Sequence, residues 1–372
     1  MSTKIVSIDV IPMEIELSEP FSISVGSIAF AQNTIVKIHL DSGLFGTGEC
    51  GRFRSIHAET PRGVFEAGKY LAPLLIGQDA TNINACISIL DANFVGNGSI
   101  KCAFDMALYD LNAKLLNIPL YQFLGGKHQN PIFTDMTIGL LPVDDMVNKA
   151  LAFKEKGFST LKIKLGDVNV QHDINRVKAI RKAIGQDISL RIDANQGWNY
   201  RTAKIVLKEI AQENIEYCEA PILASNTSDL KRLTAFSPIP IMGDESVFNH
   251  QDAYRMLASN CIDLVNIKLG KSGGINHAMK IAAVAEAAGA DCQVGCFAET
   301  RLGISALLHF SLAWTNVIYH DMDSPLMHTH DPVNGGLKYT DDWQVSIDDS
   351  SGHGASFDQT FLDQFEKFTT SF

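Results

Sequence analysis

Three acidic residues stand at near-even steps along the middle of the chain, with lysines before and after them. Asp193 lies in SLRIDANQG, Glu219 in EYCEAPI and Asp244 in IMGDES, spaced by 26 and 25 residues. Lys162 and Lys164 precede them in LKIKLG, and Lys268 follows in LVNIKLGKSGG. Each closes a short apolar run of strand character. Carboxylates on three successive strand ends can hold one hard cation, and an all-oxygen set suits Mg2+. Zinc more often brings His or Cys. His328 and His330 offer the nearest nitrogens, but HTH lies in a stretch of turn composition and reads as solvated. A cation beside lysines is hardware for removing a proton from a carbon next to a carboxylate.

The elements that must position these groups fall into two parts. IVSIDVIPMEI and NTIVKIHLDSGLFGTGEC carry β-branched residues and turn glycines and predict strands. SIKCAFDMALYDLNAKLL predicts a helix ending near NIP, and LGGKHQNPI reads as a linker. From Thr134 onward eight strand candidates appear: TDMTIGL, STLKIKLG, ISLRIDAN, IEYCEAP, IPIMGDES, DLVNIKLG, CQVGCFAE and NVIYHDMD. Amphipathic stretches such as VQHDINRVKAIRKAIG and YRTAKIVLKEIAQEN lie between them. Strand and helix in alternation argue for βα units and a parallel sheet. The expected fold is α/β, a (β/α)7β barrel without its last regular helix, since SPLMHTHDPVNGG after the eighth strand is loop-like. GLKYTDDWQVSI predicts strand again and is expected to return to the N-terminal sheet. The expected divisions are 1–130, 131–323 and 324–372. An open doubly wound sheet is the competing architecture, but no GxGxxG occurs. GKS at Gly270–Ser272 lacks the glycine a phosphate loop needs at Val265.

In a parallel barrel, ligands meet at the C-terminal strand ends. Side chains alternate faces along a strand, so Lys162 and Lys164 share a face, as do Asp193 and Asn195, and Asp321 and Asp323. A lysine base works best near ~7–8, about three units below its usual ~10.4. An ammonium ~4 Å away at an effective dielectric of ~20 repels by about 4 kcal/mol. Lys162 is therefore expected to lower Lys164 by the amount required. Lys164 belongs to the second strand and Lys268 to the sixth, opposite sides of a ring of eight. Two amines flanking one carbon can take a proton from one face and return it to the other, which is racemisation or epimerisation.

With KIK, DAN, CEAP, GDES and NIKLGKSGG in place, the chain resembles the enolase superfamily, and within it the muconate lactonising enzyme-like group. The resemblance covers almost the whole chain. It implies an α+β capping domain built from the N-terminal region and the C-terminal tail. It implies that Asp193, Glu219 and Asp244 bind one Mg2+ per subunit, with Lys164 and Lys268 as acid/base catalysts, Lys162 assisting, and Asn195 and Glu245 in support. Enolase-superfamily sites pair a Lys or His base with Mg2+ at an enediolate. HDMDSP is similar to the dipeptide epimerase signature, in which two aspartates hold the substrate's α-ammonium. Here these are Asp321 and Asp323. Two acids opposite a metal suit a molecule with a cation at one end and a carboxylate at the other. The Ala-Glu epimerases of the group carry a basic residue in the loop after the first strand. SEPFSISVG, read as that loop, offers Ser22 and Ser24 instead. The expected substrate is a dipeptide with small or apolar side chains, contacted by Ser22, Ser24, Thr137 and Phe297, with Phe21 and Phe53 as further pocket candidates. The roles of Arg52, Arg54 and Glu299 stay open.

The net charge of −11 argues against nucleic acid as a partner. No run of apolar residues is long enough to predict a membrane span. Seven scattered cysteines without a CxxC predict reduced thiols and a cytoplasmic location, and a homo-oligomer is compatible with the sequence. The same barrel could serve an N-acylamino acid racemase, an o-succinylbenzoate synthase or a muconate cycloisomerase. A Schiff-base aldolase using Lys164 or Lys268, and a metal-binding barrel without catalysis, are the readings from other classes.

Overall fold

The computed structural model describes residues 2–128 and 131–372. The expected division between 130 and 131 touches residues outside that set. The alternating N-terminal runs form the antiparallel strands Ile5–Ile23, Gly26–Leu40 and Phe45–Cys50, with Ile8, Val10, Ile15, Ile35 and Ile38 buried. Helix Gly98–Leu115 lies against this sheet, close enough that a Cβ at Gly48 would sit 2.0 Å from the Ala103 carbonyl oxygen. GTG at 46–48 is what permits that approach.

The chain's C-terminal return differs from expectation. Phe368–Ser371 pairs with the first strand, Ser7 facing Ser371. GLKYTDDWQVSI instead forms the short strands Lys338–Tyr339 and Gln344–Ser346, and the second of these pairs with Ile132–Phe133. Trp343 drives this placement by stacking on Phe158 with ring centroids 4.0 Å apart.

Eight parallel strands make the second unit: Met136–Ile138, Thr160–Lys164, Ser189–Asp193, Ile215–Glu219, Ile241–Gly243, Leu264–Ile267, Cys292–Val294 and Val317–His320, each hydrogen-bonded to the next. Seven helices of nine residues or more alternate with them, from Val143–Glu155 to Arg301–Ala313, and a single turn, Leu269–Ser272, precedes the sixth of these. Asn169, Asn199, Asn226 and Asn249 cap four of these with side-chain oxygens, as short amides should. A 3-10 turn, Ser324–Met327, follows the last strand in place of a helix. The seam between the eighth and first strands is bridged by Asp135 N–H to the His320 carbonyl, 3.2 Å. Arg191, ion-paired to Asp135 at 2.8 Å, donates to the same carbonyl.

Two acids of the N-terminal unit reach into the barrel's helix starts. Glu49 accepts from Thr300 N–H, Gly303 N–H and Asn33 Nδ2, at 2.8–2.9 Å, and from the Thr300 hydroxyl at 2.6 Å. Asp105 accepts from the N–H groups of Ile275 and Asn276, the first turn of helix Ile275–Ala287. That helix begins at Gly274, which has φ 109°, and a Cβ there would fall 2.3 Å from Asp105. Among the described residues no helix is long and apolar enough to cross a membrane, and all seven cysteines are free and buried.

Candidate active site

The strand register sets Lys164, Asp193 and Glu219 side by side as the last residues of three adjacent strands. Asp244 follows the next strand and Lys268 the one after. The five groups therefore form an arc over five neighbouring strands with a lysine at each end. Lys164 Nζ lies 2.7 Å from Asp193 Oδ2, and Lys268 Nζ 3.0 Å from Asp244 Oδ2. All five are buried, with Glu219, Asp193 and Asp244 at 0% exposure. Lys164 and Lys268 stand four strands apart in a ring of eight, on opposing rims as expected.

Lys162 behaves differently from expectation. Its ammonium sits 2.7 Å from Glu219 Oε2, 2.9 Å from Asp321 Oδ2 and 3.8 Å from Asp193 Oδ2. Burial disfavours its charge, but Asp321 and Glu219 outweigh that and hold it well above the usual lysine range. A charge so closely matched by acids has little repulsion left for Lys164. Glu219 is itself pushed up by burial and by the Asp193 charge.

The acid pair beyond the eighth strand does not owe its convergence to strand alternation, since the strand ends at His320. Asp321 Oδ2 is held by Lys162, and Asp323 Oδ2 accepts the Thr137 N–H at 2.7 Å. Burial pushes Asp321 up, yet Lys162 and Lys268 outweigh it and bring it to about 2. Asp323 is pushed up to about 7 by burial and by the Asp321 charge. Asn195 likewise lies beyond its strand, at φ 41°. It donates its N–H to Asp193 Oδ1 at 2.8 Å, and its amide faces Glu245 Oε1 at 3.4 Å. Burial and the Asp244 and Asp193 charges push Glu245 up to about 8.

SEPFSISVG is not a free loop. It forms the tip of the ribbon made by the first two strands, irregular between Glu16 and Phe21. The Ser24 hydroxyl faces the carbonyls of Ala194 (2.8 Å) and Asn195 (3.0 Å), so it fastens the ribbon to the barrel. Its donor is committed to these carbonyls, which leaves only its oxygen lone pairs for any further contact. Ser22 bonds Ser27 across the ribbon and lines a cavity of about 330 Å3 with Phe21, Thr137, Met136 and Trp343. Lys149 also borders it, ion-paired to Glu19. Phe297 lies under Lys268, 4.7 Å from ammonium to ring centroid, and its ring edge meets His57 at 4.4 Å. Arg52 is half-buried and donates to Gln32, whereas Arg54 is exposed. Glu299 accepts the Phe297 N–H at 2.7 Å, fixing the backbone under Lys268. His328 is half-buried, lowered to about 4 by burial, rather than solvated; His330 is exposed.

Sequence reasoning missed Asn266, Gln293, Lys271 and Cys296. Asn266 Nδ2 donates to Glu219 Oε1 at 2.7 Å, and alternation from Lys268 could have found it. Lys271, inside the rejected GKS motif, is a buried pin that donates to the carbonyls of Asp244 and Asn266 at 3.1 and 2.8 Å. Cation binding has a direct test in unsatisfied oxygens. Buried Glu245 Oε2, Asn195 Oδ1 and Asn266 Oδ1 have no hydrogen-bond partner among the described residues, and the two oxygens of Asp244 face the ammonium groups of Lys268 and Lys271 at 3.0 and 3.3 Å. Buried acceptors cluster this way where a cation belongs, and the all-carboxylate set Asp193, Glu219, Asp244 fits Mg2+.

A (β/α)7β barrel with an acid–lysine arc at its strand ends and an antiparallel capping sheet defines a class of enzyme-like scaffold, and the comparisons agree. Residues 5–125 match the mandelate racemase / muconate lactonizing enzyme N-terminal domain, and residues 145–361 the enolase C-terminal domain-like family. The chain belongs to this family. It is 40% identical to the D-Ala-D/L-Ala epimerase of Cytophaga hutchinsonii, covering 98% of each chain. It is 38% identical to the hydrophobic dipeptide epimerase of Enterococcus faecalis, over 95% of this chain and 99% of that one. The crystal structure of dipeptide epimerase from Cytophaga hutchinsonii complexed with Mg and the dipeptide D-Ala-L-Val superimposes with a TM-score of 0.97, at 40% identity, over 98% of this chain and 99% of that chain.

Proposed function

We propose that this protein is a Mg2+-dependent dipeptide epimerase, an isomerase that inverts the α-carbon of the C-terminal residue of a dipeptide. The observation that carries the reading is the buried pair Asp321 and Asp323, standing across Lys162 from the acid–lysine arc. A free dipeptide has a carboxylate for one end of this site and an ammonium for the other. The named relatives support the reading, being epimerases of dipeptides.

Asp193, Glu219 and Asp244 would hold the ion. A bound Mg2+ supplies positive charge that acidifies the α C–H and offsets the charge gathering on the substrate carboxylate. Lys164 takes the α-proton from one epimer, from the second-strand side of the mouth. The Lys162 ammonium, kept charged by its three acids, adds fixed positive charge close to the developing enediolate. Lys268 delivers a proton to the opposite face, and the reverse epimer exchanges the roles of the two amines. Phe297 limits where the Lys268 ammonium can go. A small or apolar substrate side chain is supported by the ribbon tip at residues 18–26, SEPFSISVG, which carries no Lys or Arg.

Incubating the protein with Mg2+ and a set of L,L-dipeptides in D2O tests the reading. Deuterium at the C-terminal α-carbon together with the inverted epimer is expected; no uptake on any dipeptide would defeat it. Asp321→Asn should lower kcat/KM for free dipeptides by roughly 10²-fold, the loss of one buried charge-assisted contact or somewhat more. Lys162 also loses a partner in this variant, so the loss is read against an N-acetylated dipeptide, which has no ammonium for Asp321 and should show a smaller fall.

A further inference from the structure

Cys296 follows the seventh barrel strand, and nothing in the reaction above uses it. Its Sγ lies 3.5 Å from Asp321 Oδ1 and 3.6 Å from Asp323 Oδ1. The sulfur and one oxygen of each acid all fall within 4.8 Å of one another. All three residues are at least nine-tenths buried. Their other oxygens are tied to the barrel wall, Asp321 Oδ2 to Lys162 and Asp323 Oδ2 to the Thr137 N–H. The two Oδ1 atoms therefore turn toward the same thiol.

We infer that Cys296 is a positioning residue that keeps the Asp321 and Asp323 carboxylates converged for an incoming ammonium group. This rests on the dipeptide reading. The loop bearing the thiol is fixed from three sides. Glu299 accepts the Phe297 N–H, Ser324 donates its hydroxyl to the Glu299 carbonyl at 2.8 Å, and Asn33 donates to the Ala298 carbonyl at 2.8 Å. A thiol suits the task for three reasons. It carries one weak donor that can serve either acid, so it gives way when a stronger donor arrives. A lysine there would neutralise the pair permanently and compete with the substrate. An alkyl group would leave two buried carboxylates facing each other with no donor, and one of them would keep a proton in place of its charge. The structure already leans that way, with Asp323 pushed up to about 7 by burial and by its neighbour.

The test compares Cys296→Ala and Cys296→Ser with the parent on L-Ala-L-Ala and on the best dipeptide of the set. Cys296→Ala is expected to raise KM about tenfold with kcat within about threefold, the low end for losing a hydrogen bond to a charged group. Cys296→Ser restores a donor and should return KM to within about threefold of the parent. A general packing defect would not be rescued by the smaller, more polar serine. An unchanged KM in Cys296→Ala, or a Cys296→Ser variant as poor as Cys296→Ala, overturns the inference while leaving the dipeptide reading intact. A parent that epimerises no dipeptide overturns both.

Discussion

Buried carboxylates do two kinds of work in this molecule. In the barrel mouth Asp193, Glu219, Asp244 and Asp321 face lysine ammonium groups within 3.0 Å. Between the capping unit and the barrel, Glu49 and Asp105 face chiefly backbone N–H groups at helix starts. The burial is equal, since all of these acids are at 4% exposure or less. The partners differ in mobility. An ammonium on a four-carbon stem can swing away, so its acid can exchange partners with a metal ion or a substrate. A helix N-terminus cannot move without unwinding, so its acid is architecture. The distinction separates these two sets without any ligand, although it is not a general locator: buried Asp110 pairs with Lys114 at 2.6 Å away from the mouth, and Asp323 accepts a backbone N–H within it.

The comparison breaks most visibly at Lys268. If its ammonium is a removable partner that serves as acid or base, Lys268→Ala should lower epimerisation by at least about 10³-fold. Lys164 would still exchange the α-proton of one epimer with D2O, and mass spectrometry of each epimer separately reads the asymmetry. Loss of exchange on both epimers, with Mg2+ binding retained, would show that Lys268 does something other than deliver a proton.

The joint gives a contrasting signature. Glu49→Ala would leave the N–H groups of Thr300 and Gly303, the Thr300 hydroxyl and one Asn33 donor without their acceptor. Unfolding in urea should show a loss of about 3 kcal/mol, given ~1–3 kcal/mol for each orphaned buried group and partial rescue by water. At temperatures where the variant stays folded, kcat should remain near the parent value, because Glu49 contacts none of the arc residues. A large fall in kcat with unchanged stability would erase the line drawn between joint and site.

How much of this was legible follows the same division. The eight barrel strands, the missing eighth helix and the spacing of Asp193, Glu219, Asp244 and the lysines were readable, because period-two runs and strand-end acids are local signals. Contacts made by a distant segment were not readable. Ser24 looks like a free loop hydroxyl in SEPFSISVG, and only the docked ribbon shows that the Ala194 and Asn195 carbonyls claim it. Lys162 looks like a repulsive neighbour for Lys164 until Asp321, 159 residues away, is seen to share its charge. The C-terminal return was assigned to the wrong run because GLKYTDDWQVSI has the stronger strand pattern. The aromatic stack of Trp343 on Phe158, a tertiary contact, decided otherwise.

The smallest expected effect sharpens the comparison from the joint side, through pH. Burial pushes Asp105 up to about 8, despite the two N–H groups it accepts from. A carboxyl raised above its unfolded value near ~3.9 binds a proton more tightly when folded. The stability it contributes is therefore fully present below about pH 4 and is lost as pH climbs toward 8. A four-unit rise would amount to about 5 kcal/mol, but the partial positive charge of the helix start favours the anion and offsets part of it. Asp105→Asn removes the titration but keeps one acceptor oxygen, enough for the N–H of Ile275 or of Asn276 and not for both, since Asp105 uses Oδ2 for the first and Oδ1 for the second; the comparison therefore rests on the pH slope and not on the absolute stability. The parent should lose about 2 kcal/mol more than the variant between pH 5 and pH 8 in urea unfolding, a discounted share of that figure. Equal slopes would mean that the helix start holds Asp105 ionised throughout. The acids of the joint would then be charged like those of the mouth, and mobility of the partner alone would separate the two regions.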